Sequence, residues 1–144
     1  MALAQSVTER TLDRVPKVIS PATHAAIDYL FVGSLLLGGA VLWRRNRRAA
    51  VASLVAGASG LSTILATRFP GGVWEKIAFP THGRISVGHS LAMAATPTLL
   101  GFHGTAPGWF FAAQAALMGV VDALTDFNQT RGDTGDWDAL GIGA

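Results

Sequence analysis

Apolar residues gather into four runs, roughly Ala22–Trp43, Ala49–Thr67, Ile85–His103 and Pro107–Phe127, separated by shorter polar or glycine- and proline-marked stretches. Each run is close to the 20 or so residues that a helix rising 1.5 Å per residue needs to cross about 30 Å of hydrocarbon. A helix in water needs a polar face, yet the interior of Ala49–Thr67 offers only Ser53, Ser59, Ser62 and Thr63. The pattern predicts an all-α protein, a four-transmembrane-helix bundle built from two tandem helical hairpins. Residues 21–127 form that domain, residues 1–20 a polar or interfacial segment ahead of it, and residues 128–144 a flexible acidic tail.

Local signals agree. Ser20-Pro21 combines a capping side chain with a proline at a position where its missing N–H does no harm. Trp43 is an interfacial anchor followed by Arg44, Arg45, Arg47 and Arg48, and the next run begins at once, so the first two helices make a tight hairpin. The connection Arg68–Arg84, with Pro70-Gly71-Gly72, reads as an interfacial loop, and Pro97 is expected to kink the third helix. In residues 6–19 the spacing of Val7, Leu12, Val15 and Ile19 suits either a helix lying on the interface or a polar tail.

Composition sharpens the picture. Only 14% of the 144 residues are charged, against about 25% in soluble domains. Inside the runs the charged side chains are Asp28, Asp122 and Asp126, with Arg44 and Arg84 at the rims. The absence of cysteine excludes disulfides and thiolate metal sites, and no basic stripe interleaved with aromatics suggests a nucleic acid. Glu9, Arg10, Asp13, Arg14 and Lys17 stand where the core of a cleavable leader would be, so the first helix is expected to insert by itself. The dense Arg44–Arg48 loop points to the cytoplasmic side of a bacterial inner membrane, although basic residues on the terminal side are more numerous.

Slid along itself by one fixed offset, the chain superposes Thr23-His24 on Thr81-His82, Ile27 on Ile85, Ala58 on Ala116, Thr67 on Thr125 and Phe69 on Phe127. Each half then begins with proline, threonine and histidine and closes with Thr-x-Phe. Two hairpins so related share one orientation about an axis along the membrane normal, which places His24 and His82 at one depth.

Ala95-Thr96-Pro97-Thr98-Leu99-Leu100-Gly101-Phe102 and the His24–Asp28 run, with His82–Ser86 as its counterpart, resemble the SPW-repeat family of small bacterial membrane proteins. Thr96 replaces the serine of the Ser-Pro-Trp motif and Thr98 its tryptophan, and the match is confined to short stretches between His24 and Phe102. The resemblance implies a four-helix membrane fold and says nothing about activity.

Three functional readings follow. No nucleophile elbow, phosphate loop or zinc-hydrolase helix is present, so the first is a non-catalytic accessory or self-associating subunit. Its partners are the lipid bilayer and either further copies or a larger membrane complex. The second is a haem- or metal-binding redox subunit. His24 and Asp28 lie one turn apart, and His82, Ser86, His89 and Met93 share a face, so His24, His82 and His89 are candidate haem ligands and His24, Asp28 and His82 candidate ligands of a divalent metal. The third is ion or proton permeation along Asp28, Asp122 and Asp126. Carboxylates near a helix C-terminus oppose the macrodipole, so Asp122 and Asp126 are expected to form a charge cluster with Arg68, Lys76 and Arg84.

Overall fold

The computed structural model describes residues 15–128, and within them the chain forms four helices: α1 (Pro21–Leu42), α2 (Arg47–Ala66), α3 (Phe79–Leu99) and α4 (Ala106–Leu124). The acidic tail and the Val7–Leu12 part of the N-terminal segment lie outside the described residues. Side-chain oxygens of Ser20, Asn46 and Thr105 accept the Thr23, Ala49 and Gly108 N–H groups, capping α1, α2 and α4. α3 lacks such a cap and starts with Pro80 in its first turn, ahead of the apolar run that begins at Ile85. That earlier start brings His82 into the helix. α3 also ends sooner than the apolar run does, and beyond it Gly101 turns the chain at φ 72°.

α1 packs on α2 and α3 on α4 as two hairpins. In the first hairpin the backbones approach through Gly39 and Gly57, where an added Cβ would lie 2.5 Å from Leu54 Cγ and 2.8 Å from Leu36 Cδ2. Ser53 Oγ adds an interhelical bond to the Leu35 carbonyl at 2.6 Å. Small residues permit such contact where lipid supplies no hydrophobic drive between helices. Gly33 and Gly88 are different: among the described residues an added Cβ there would meet nothing within 4 Å. Leu35, Met93, Phe102 and Phe111 fill the core toward the Arg44–Arg48 end; Ala25, Val32, Ile64, Phe69 and Phe79 fill it toward the termini.

Three helices, α1, α2 and α4, are long and apolar enough to cross a membrane. α3, the other expected span, is less apolar than these three, because it carries Thr81, His82, Arg84, Ser86, His89 and Ser90. The most polar helix is thus the one that carries two of the four histidines.

The two hairpins are joined at the terminal end by exchanged contacts. Ile19, ahead of α1, runs parallel to Thr125 and donates its N–H to Leu124 O at 3.0 Å; Ile77, ahead of α3, runs parallel to Thr67 and donates to Ala66 O at 2.8 Å. The lead-ins Ile19 and Ile77, and the helix exits Thr67 and Thr125, are related by the same offset as His24 and His82. The described part of the N-terminal segment, residues 15–20, is extended and not helical, since Ile19 and the bond from Lys17 Nζ to Ala123 O hold it along the end of α4.

Candidate metal centre

Where α1 and α3 begin, His24, Asp28 and His82 converge in the bundle core, at most 5% exposed. His24 and Asp28 are brought together by their spacing of one helical turn, and His82 comes from the other hairpin. Nε2 of His24 lies 3.4 Å from Nε2 of His82, and Asp28 Oδ2 lies 3.4 Å from the first and 3.0 Å from the second.

The far side of each ring fixes its tautomer. Thr125 Oγ1 donates its single proton to Val121 O at 2.7 Å, so it accepts from His24 Nδ1–H at 2.8 Å. Thr67 Oγ1 donates to Thr63 O at 2.7 Å and accepts from His82 Nδ1–H at 2.9 Å. With the proton on Nδ1, each neutral imidazole turns the lone pair of Nε2 toward the other ring and toward Asp28. Phe127 and Phe79 meet the His24 ring edge-on, at 5.1 and 5.6 Å, and Phe69 lies against His82 at 5.2 Å.

Three electron-pair donors therefore face one another away from water, and among the described residues Asp28 Oδ2 has no hydrogen-bond partner besides them. Buried acceptors without a donor are costly, and a cation at the centre of the arrangement would offset that cost. A single proton joins only one pair of these atoms at a time. A metal ion serves all three: one point lies about 2 Å from each atom, the length of Zn–N and Zn–O bonds. The threonines then act as the outer support that orients metal-binding imidazoles.

Beside the triangle is a cavity of about 30 Å³, large enough for one water, lined mostly by apolar side chains together with Asp28, Thr63, His82, Ser86 and His89. His89 shares the inward face of α3 but stands about 10 Å along the helix from His82, roughly two turns, and is not part of the triangle. The haem reading of His24, His82 and His89 meets a geometric obstacle: axial ligation needs nitrogens on opposite faces of a macrocycle. Here the two nitrogens are neighbours, a carboxylate is the third vertex, and phenyl rings close the surroundings.

The residues expected to form a charge cluster are placed otherwise. Asp122 is buried and accepts from Ser86 Oγ at 2.9 Å, its Oδ2 without a partner among the described residues. Asp126 accepts the Asn128 N–H, and Arg68 Nε donates to Glu75 O at 2.7 Å. Among the described residues no ion pair joins Arg68, Lys76 or Arg84 to Asp122 or Asp126. Asp28 and Asp122 flank the Ser86 region on different helices, while Asp126 bonds its own backbone, so the three carboxylates do not line one continuous face.

Thr67 and Thr125, which bond the two imidazoles, are residues that reading for chemistry alone passes over, although both carry a signal as the closing Thr-x-Phe of each half. Compared with known proteins, the chain matches no family model, no curated protein and no solved structure.

Proposed function

We propose that this chain is an integral membrane protein that holds one divalent transition-metal ion, zinc by geometry, between its two hairpins through His24, His82 and Asp28. The carrying observation is the triangle of buried acceptor atoms with 3.0–3.4 Å edges, each imidazole locked by a threonine so that its lone pair faces inward. Imidazole with carboxylate suits zinc and several neighbouring ions, and edges of this length suit a tetrahedral one. The small cavity beside Asp28 and His82 has room for one water.

In this reading α3 is the fourth crossing, its polar side chains His82 and Ser86 turned into the bundle, where ionisable groups in membranes are usually found. The metal ties α1 to α3 and so fastens one hairpin to the other, which fits an accessory, non-catalytic subunit. The contacts matched between the two halves support an origin by tandem duplication of a helical hairpin. With the Arg44–Arg48 connection on the cytoplasmic side of a bacterial inner membrane, the metal lies toward the opposite surface.

Cobalt substitution tests the assignment. Purified chain in mild detergent, freed of metal and titrated with Co²⁺, is expected to develop the intense visible bands of tetrahedral cobalt, bleached by one equivalent of Zn²⁺ and absent in His82→Ala. A titration without those bands removes the proposal.

A further inference from the structure

α2 and α3 belong to different hairpins, and between them lies an open groove of about 920 Å³. Its walls are apolar: Val51, Val55, Ala92 and Leu99 line it, with Val55 63% and Leu99 78% exposed. Arg47 and Arg48 stand at one end, and Ser59 and His89 mark the other. From Arg48 to Ser59 the groove follows α2 for about 16 Å, roughly half the thickness of a hydrocarbon layer of about 30 Å. It spans the depth of one leaflet.

The basic end is built across the opening. Arg48 Nη1 donates to Leu100 O at the end of α3 at 3.3 Å, and Arg47 lies over the Trp43 ring at 4.3 Å, the tryptophan marking the interface. Among the described residues neither guanidinium pairs with a carboxylate. Basic pockets between membrane helices on the cytoplasmic side are suited to anionic lipid headgroups. A second copy fits this surface poorly, because a two-fold axis along the membrane normal sets Arg47 and Arg48 beside the same residues of the copy.

We infer that the α2–α3 groove seats one acyl chain of an anionic phospholipid, with the lipid phosphate held by Arg47 and Arg48. None of the three residues of the metal triangle lines this groove, which meets the cavity beside the triangle only at Ile85 and His89.

Native mass spectrometry of the full chain, purified in mild detergent and offered equal amounts of phosphatidylglycerol and phosphatidylcholine, tests this. The wild-type protein is expected to retain phosphatidylglycerol on the order of tenfold more than phosphatidylcholine. Arg47→Gln with Arg48→Gln is expected to bring the two to near parity, and Ala56→Trp, which fills the groove without changing charge, to lose both. Equal retention of the two lipids by the wild type overturns the inference, as does lipid retention unchanged in a folded Ala56→Trp. A dimer that carries no lipid and is broken by Ala56→Trp also overturns it, since a second copy then covers the face. His82→Ala is expected to keep the lipid preference while losing metal, so the two proposals fail separately.

Discussion

Nε2 of His24 and Nε2 of His82 face each other at 3.4 Å although the two residues belong to different hairpins. Each ring has its other nitrogen committed to a threonine that follows the last helix of the opposite hairpin. The imidazoles thus arrive with their lone pairs already aimed, and the exchange of partners between hairpins makes the site a property of the whole bundle.

Removing the aim weakens the site without touching a ligand. Thr67→Val or Thr125→Val keeps the volume near that of threonine but leaves Nδ1–H without its acceptor, freeing the ring to change tautomer. A loss of zinc affinity of about 10- to 100-fold is expected for each, read by competition against a chelator of known affinity. Thr67→Ser, which restores the hydroxyl, is expected to recover most of it.

Asp28→Asn tests whether the carboxylate serves the metal. The amide offers a donor to an imidazole nitrogen, so the metal-free fold is expected to survive while zinc binding is lost. Zinc at about 100 times its Kd adds about 2.7 kcal/mol to the stability of the wild type. A chelator is therefore expected to lower the Tm of the wild type by several degrees and to leave that of Asp28→Asn unchanged.

His89→Ala separates the triangle from the wider inward face of α3. Because His89 reaches the cavity and not the three converging atoms, zinc affinity is expected to change by less than about threefold. A loss as large as that of His82→Ala, in the same chelator competition, would make His89 a ligand.

Gly72→Ala examines the loop that carries Thr67. An added Cβ at Gly72 would sit 1.8 Å from the Thr67 carbonyl oxygen, a backbone atom that cannot turn aside. A destabilisation of about 2 kcal/mol or more is expected. Thermal unfolding should show it, together with weaker zinc binding, since Thr67 shifts with its carbonyl.

Helices and hairpins were legible because hydropathy at this length leaves few options, and the boundary signal Ser20-Pro21 acts locally. His24 with Asp28 was legible as one helical turn, and the internal offset between the halves brought His82 to the same depth. The shared inward face of His82, Ser86 and His89 was legible too, but not which of them meets a partner, because that depends on where α1 crosses α3. The expected grouping of Arg68, Lys76 and Arg84 with Asp122 and Asp126 rested on a shared membrane side. Lateral placement within that side decides contacts, and it gave Asp122 to Ser86 and Arg68 to a backbone carbonyl. The pairing of Ile19 with Thr125 was hidden for the same reason: a short extended lead-in has no periodicity to announce its partner.

Elemental analysis of the full chain, extracted from membranes in mild detergent and dialysed against metal-free buffer, is the most direct measurement. One zinc per chain in the wild type is expected, falling below a tenth in His24→Ala and His82→Ala that remain folded. Absorption-edge spectra of the wild type are expected to fit nitrogen and oxygen ligands at about 2.0 Å. A folded wild-type chain that carries no zinc and takes up none when it is supplied, or whose zinc content is the same in both variants, would contradict a metal centre at His24, Asp28 and His82.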